Sequence, residues 1–353
     1  MTAAAGGEAE RVAPSDVESL AAILRQATES QSVVQVVGGG SRQGYGRPPA
    51  PDLILDMGAI SGIETWDPDD LTVTVGAGMQ VAELEQTLAA RSQTAVLPEV
   101  PGRSTVGGVI AAGISSLRRG RLLGTRERVL EVTLATGDGR IVRGGGRVVK
   151  NVTGYDLPRL VVGAFGSLGV IASVCLKLWS TPPASATIAI DDLEAATQVN
   201  RPLAVLEDNH SLRVFLWGTH EEVAATGARL GGEASEGHQW PSDPTGAYRW
   251  SLRVPPALTS TALGRVPGGW RYLAIHRVGE IRAASEDAAG ATELREWAEQ
   301  SGGSLVVVDA PPDGRDRLDP WGAPPPGLEL QRRLIAEFDP GRIINPGRLP
   351  GGI

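Results

Sequence analysis

Three glycine-lined segments within the first 171 residues constrain this chain more than any other feature. Val36-Val37-Gly38-Gly39-Gly40-Ser41 directly follows a β-branched run. Residues 98–108 run from Pro98 to Ser104-Thr105-Val106-Gly107-Gly108, and residues 104–116 are almost all small. Gly163-Ala164-Phe165-Gly166-Ser167-Leu168-Gly169-Val170-Ile171 leads into another apolar run. Glycine lets successive backbone N–H groups point into one concavity, which binds an anion such as a pyrophosphate. A stretch of small residues lets a long ligand lie against backbone. Each segment also has a plain reading by itself: a turn between strands, close helix packing, a bend before a strand. The first is not a dinucleotide-binding turn, which needs G-x-G-x-x-G leading into a helix. Here the chain continues Arg42-Gln43-Gly44-Tyr45-Gly46-Arg47-Pro48-Pro49, a loop. It is not a P-loop either, since neither Lys150 nor Lys177 follows a glycine in the required way.

The periodicity around these segments predicts a mixed α+β domain. Residues 15–30 read as an amphipathic helix capped by Ser15 or Asp16. Residues 33–37, 53–56 and 71–75 read as strands, and 80–91 as a helix. Residues 129–142 read as a hairpin turning at Gly137-Asp138-Gly139. Residues 156–163 are expected to form a short helix capped by Asp156, with Pro158 in its first turn. A strand follows at 170–178. The uncharged run 160–176 is interrupted by Gly163, Gly166 and Gly169 and is shorter than the ~20 residues of a spanning helix. We read it as helix, turn, strand, with no membrane span.

After Pro183 the texture changes, and six of the eight Trp lie beyond residue 215. Strands at 187–190, 203–207, 212–218, 248–254, 271–278 and 304–309 interleave with helices at 192–199, 220–230 and 291–300. That pattern predicts a sheet with helices on one face. The expected division is 1–183, 184–325 and a tail 326–353, with the proline-rich stretch 320–326 as linker. In the tail helix 328–338, Leu330, Leu334, Ile335 and Phe338 share a face that should dock.

Composition removes several function classes. A net charge of −8 argues against nucleic acid or an anionic membrane surface as the main partner. Cys175 is the only cysteine, so an internal disulfide, a cysteine zinc site or an iron–sulfur cluster has no ligands here. No metal is expected. The opening MTAAAGGEAERVAPSD has neither a basic start nor an apolar core, so a cytoplasmic location is expected rather than secretion.

In order and spacing, the three segments together resemble the FAD-binding domain of the vanillyl-alcohol oxidase and p-cresol methylhydroxylase type. That family shows a G-G-x-S loop, then a proline followed by T-[IV]-G-G, then G-Y-D…G-x-x-G-x-L-G-[VI]-I before a strand. Within it, the chain is similar to the FAD-binding E subunits of bacterial glycolate oxidases. The similarity rests on residues 148–156 (VVKNVTGYD), on Ser115-Ser116-Leu117-Arg118-Arg119-Gly120, and on 338–348 (FDPGRIINPGR). The resemblance implies that Gly38, Gly39, Gly40 and Ser41 bind the pyrophosphate. It places Pro98, Thr105, Gly107 and Gly108 along the flavin and its phosphates, and Gly169, Val170 and Ile171 by the adenosine or flavin edge. Members with a covalent flavin carry a His where Gly40 stands, and bicovalent ones add a Cys absent here, so FAD is expected to be held non-covalently. It further implies a paralogous FAD-binding catalytic subunit and an iron–sulfur subunit as partners, which would hold the chain peripheral to the inner membrane.

Catalysis is less legible. Oxidising a 2-hydroxy acid takes an oriented flavin, a base for the hydroxyl and a cation for the carboxylate. Related D-2-hydroxyacid dehydrogenases carry a His-rich metal motif in the second domain. Here His210, His220, His238 and His276 are scattered, and none pairs at ligand spacing. His276, in the alternating run 272–277, is the best base candidate of the four. Arg348 is expected near the flavin, or else simply ties down the tail. Arg118, Arg119, Arg121, Arg126 and Arg128 read as a solvated loop, a phosphate contact or a dock for an acidic partner. Three functions stay open at this point: an FAD-binding glycolate oxidase-type subunit, a free-standing FAD oxidase or dehydrogenase, and a flavin-free scaffold.

Overall fold

A computed structural model describes residues 9–98, 102–147 and 155–353. The first helix, Val17–Ser30, begins at Asp16. Its carboxylate accepts the Ser19 N–H at 2.7 Å while Ser19 Oγ accepts the Asp16 N–H. Leu20, Ala21, Leu24 and Ala27 form its buried stripe. Beside it lies a small parallel sheet, Glu10–Val12, Leu53–Asp56, Val34–Val37. Parallel strands bury their ladders and present ligands at their carboxyl ends. The glycine loop leaves the carboxyl end of Val34–Val37.

A five-stranded antiparallel sheet follows, ordered Ile63–Asp67, Thr72–Gly76, Val170–Lys177, Val129–Ala135, Ile141–Gly145. Its middle strand, Val170–Lys177, is buried on both faces, which explains its unbroken apolar run. Helices Val81–Ala89 and Val106–Ala112 cover this sheet through Leu84, Leu88, Val109 and Ile110.

The strands between Ala184 and Asp309 form an eight-stranded antiparallel sheet. Helices His220–Leu230 and Ala291–Gln300 pack on it. Strand Tyr248–Arg253 sends Trp250 and Leu252 into the core beneath the second of these helices. Two of its strands escape the periodicity. Glu233–Glu236 is a wholly exposed edge strand. The strand expected at 271–278 ends at Ile275, turns through left-handed Arg277 (φ 65°) and Gly279 (φ 75°), and returns as Glu280–Ser285. His276 therefore sits in a turn rather than in a strand.

The tail returns to the first sheet. Val34 donates to Ile343 O at 2.8 Å and Asn345 to Val34 O at 2.9 Å. The proline-rich stretch is packed, not free: the Trp321 ring lies 5.3 Å from Tyr45 and 5.6 Å from Phe165. Helix Leu328–Phe338 docks through Leu334, Ile335 and Phe338 only, and Leu330 is 57% exposed.

Candidate functional site

The glycine loop and the 103–105 segment lie against one another with no room for side chains. A Cβ on Gly39 would overlap the Arg103 carbonyl oxygen, and one on Gly38 the Thr105 hydroxyl. Gly40 differs: it is left-handed (φ 72°), and a Cβ there would meet nothing within 4 Å. Gly39 is thus required by close approach, and the positive φ belongs to its neighbour. Among the described residues, the backbone N–H groups of Gly39, Gly40 and Ser41 have no partner within the chain. The two loops are also joined by Ser41 Oγ and Ser104 Oγ at 3.0 Å. Thr105 caps Val106–Ala112 by accepting the Gly108 N–H at 3.2 Å. Gly107 packs on Ala77, whose carbonyl accepts its N–H.

These elements wall a cleft. One end is the polar loop. The rest is apolar or small: Val36, Met57, Ala77, Val109, Ala111, Ala112, Ile114, Phe165, Val170 and Ile171. Arg348 closes it from the tail and is 3% exposed. Its guanidinium donates to Arg42 O (2.8 Å) and Tyr45 O (3.2 Å) and lies over the Phe165 ring. Among the described residues no carboxylate pairs with it, and burial pushes its pKa down to about 10. A buried cation without a counter-ion draws an anion into the cleft.

Gly38, Gly39, Gly40, Ser41, Thr105, Gly107, Gly108, Val170, Ile171 and Arg348 all line this cleft. Pro98 and Gly169 do not. Pro98 is buried beside residues 99–101, which lie outside the described residues, as do Val148–Gly154 of the VVKNVTGYD run. Gly169 (φ 114°) lets the chain pass over Leu134 and Ala135 before Val170 enters its strand. His276 is in neither this cleft nor the chamber beside it; its Nε2 lies 2.7 Å from Glu207 Oε2.

A second chamber of about 620 Å³ adjoins the cleft, sharing Arg42, Ala112 and Ile114. Arg249, Ser251 and Arg253 face it from one side of strand Tyr248–Arg253, and Glu280 and Arg282 from the neighbouring strand. The residues responsible were missed in sequence. The signal was there: Y-R-W-S-L-R alternates polar and apolar with period two. Arg282 bridges Asp243 (2.8 Å) and Glu280 (3.0 Å), donates to Ser115 O (3.2 Å), and Arg119 reaches Glu280 at 2.9 Å. Burial would raise Glu280, but Arg282, Arg119 and Arg253 overcome it and hold the carboxyl at about 2. Burial would lower Arg282, and Glu280 and Asp243 reverse that. Arg253 is exposed and makes no side-chain hydrogen bond among the described residues.

Residues 9–145 match the family model described as an FAD binding domain. That stretch is similar to FAD-binding domains. The fold agrees, because the whole chain superposes on alkyldihydroxyacetonephosphate synthase with a TM-score of 0.68, covering 95% of this chain and 75% of that one at 15% identity. This is the vanillyl-alcohol oxidase type of architecture. The chain is 28% identical over 347 residues to glycolate oxidase subunit GlcE of Escherichia coli (strain K12), covering 92% of this chain and 95% of that one. It is 33% identical over 195 residues to glycolate oxidase subunit GlcD of Bacillus subtilis (53% of this chain, 41% of that one). It is also 33% identical over 171 residues to a D-lactate dehydrogenase of Archaeoglobus fulgidus (48% and 38%). It therefore spans under half of the length of these last two.

FAD suits the cleft on the chain's own terms. Among the described residues, three N–H groups without a partner in the chain lie on a loop that a Cβ on Gly38 or Gly39 would displace, and the other walls of the cleft are mostly apolar or small. No described helix is long and apolar enough to cross a membrane.

Proposed function

We propose that this chain is the FAD-binding subunit of a glycolate oxidase-type complex that oxidises 2-hydroxy acids. The observation that carries this reading is the match to GlcE over 95% of that subunit. When bound, FAD supplies the hydride acceptor. Gly39, Gly40 and Ser41 hold its pyrophosphate, Arg348 offsets its charge, and the apolar walls exclude water from its ring. Attachment is non-covalent: Gly40 offers no nucleophile, and Cys175 is buried in its strand rather than in the cleft. The partners are a paralogous flavin subunit and an iron–sulfur subunit, and through them the chain works at the membrane surface.

The chamber's arginines suit a small carboxylate, which also fits a free-standing dehydrogenase. A base is the difficulty for that second reading. No His lines the cleft or the chamber among the described residues, and Glu280, ionised down to about pH 2, accepts no proton at neutral pH. The purified chain is therefore expected to release all its FAD on acid precipitation, and its flavin should stay oxidised under anaerobic glycolate or D-lactate. Reduction should occur only with the partner subunits present. Rapid bleaching in the isolated chain would instead establish the free-standing enzyme.

A further inference from the structure

A third basin, apart from the cleft and the chamber, opens where the two halves meet. Leu117, Gly120 and Arg121 of the first half face segment 197–205 and turn 275–278 of the second. Its space of about 760 Å³ lies within the ~300–1,000 Å³ of small-molecule sites, so size alone does not choose between a small anion and a polypeptide. Its cations are Arg121, Arg201 and Arg277, beside His276, with no Asp or Glu among the described lining residues. That is a local reversal of sign in a chain of net charge −8.

Two of these groups are already committed. His276 is bound to Glu207, and Arg277 donates to the carbonyls of Ala196, Thr197 and Val199. Arg121 spends one nitrogen on Trp217 O at 2.8 Å, and Arg201 is exposed with no hydrogen bond or ion pair among the described residues. Arg121 is held below the usual arginine range by burial and then by the charge of Arg201, against the opposing charge of Glu222. Two cations thus stand close together with no carboxylate lining the basin between them. Arg201 (φ 50°) and Arg277 (φ 65°) are also both left-handed, a conformation uncommon outside glycine that tends to collect at functional sites.

We propose that this basin docks an acidic segment of a partner protein, one carrying at least two neighbouring carboxylates. The position of Arg201, exposed on an open wall beside Arg121, favours a polypeptide over a small anion. An incoming carboxylate pair would offset the Arg121–Arg201 repulsion, which gives both attraction and register. The partner's identity rests on the subunit reading above; the acidic chemistry does not.

The test uses the FAD-loaded chain and a fluorescent pentaglutamate peptide, read by anisotropy. Binding at ~20 mM salt should weaken at least ~tenfold at ~200 mM. Arg201→Glu, an exposed position, should weaken it a further ~tenfold. Arg333→Glu, exposed on the tail helix, should leave it unchanged. Peptide binding that is indifferent to Arg201→Glu would overturn the proposal. So would displacement by equimolar inorganic phosphate, which would mark a small-anion site instead. Flavin absorbance in the same samples reports the cofactor reading separately, so either can fail alone.

Discussion

Gly39 and Arg348 make opposite demands on the cofactor cleft, one for empty space and one for charge. A methyl on Gly39 must push the Arg103 carbonyl away, which separates the two loops that shape the pyrophosphate end. Gly39→Ala should reduce FAD affinity at least ~100-fold, about 2.7 kcal/mol. Gly40→Ala has room, and should cost only about 1–2 kcal/mol of stability through its left-handed backbone. FAD retained after gel filtration, set beside the melting temperature, separates the two. Arg348→Gln removes a buried cation whose planar fork serves several acceptors, so FAD affinity should fall about 10–100-fold. The pH dependence has a definite sign. The guanidinium titrates near 10 in the fold, below an arginine free in solution, so between the two the unfolded chain binds the extra proton. Stability of the flavin-free protein gains in that window as pH rises, while affinity for the anionic cofactor declines through about pH 10. Titrating FAD at pH 8 and pH 10.5, in wild type and Arg348→Gln, checks this; the variant should lose the decline.

At the scale of elements, the tail acts as an added edge to the small parallel sheet. Ile343 and Ile344 join the core beneath the first helix, and Asn345 sits left-handed at φ 47°, a conformation Asn tolerates. Its Nδ2 donates to Phe165 O at 2.7 Å and its Oδ1 accepts the Val36 N–H at 3.3 Å. One buried amide therefore ties the tail to both the glycine-loop strand and the 163–169 bend. Asn345→Ala leaves that donor and acceptor unpaired, and should destabilise the protein by about 2–3 kcal/mol. The denaturant midpoint would show it. FAD loading should fall in parallel, because Val36 and Phe165 are both cleft walls.

Across the whole molecule, the two halves are joined by charge as well as by apolar contact. Arg119 from the first half reaches Glu280 of the second, and Arg282 of the second reaches Ser115 O of the first. Glu280 is 6% exposed, so removing its charge leaves buried arginines uncompensated. Glu280→Gln should cost about 3–5 kcal/mol at neutral pH. The folded carboxyl titrates near 2 against an ordinary 4.5, so this contribution is complete above about 4.5 and lost as pH falls toward 2. Unfolding curves from pH 7 to pH 3 should show wild type converging on the variant at the acid end, and parallel curves would refute the assignment.

Most of the first domain was legible in order along the chain. Val34–Val37, Leu53–Asp56 and Val170–Lys177 run mainly apolar for four to eight residues. The first helix has a four-residue-spaced stripe, and the glycines stand where the chain must approach itself closely. Glu10–Val12 and Ile63–Asp67 carry no such run and do not read as strands. Glycine is conspicuous because nothing replaces it at such a contact, so Gly38, Gly39, Gly107 and Gly108 could be named without a structure. The charged chamber was not legible in that way. Arg42, Arg119, Asp243, Arg253 and Arg282 come from separate loops and strands, and an arginine reads as a surface residue until a fold buries it. Likewise nothing local in residues 271–278 marks where Ile275 ends a strand; Gly279, whose Cβ would overlap the Val254 carbonyl, decides it through a contact 25 residues away. Residue type and order along the chain thus pointed to the cradle, in combination and through the family resemblance, because its requirement is steric and local. Only the tertiary structure decided which charges meet beside it, because an electrostatic site depends on distances that the chain order does not contain.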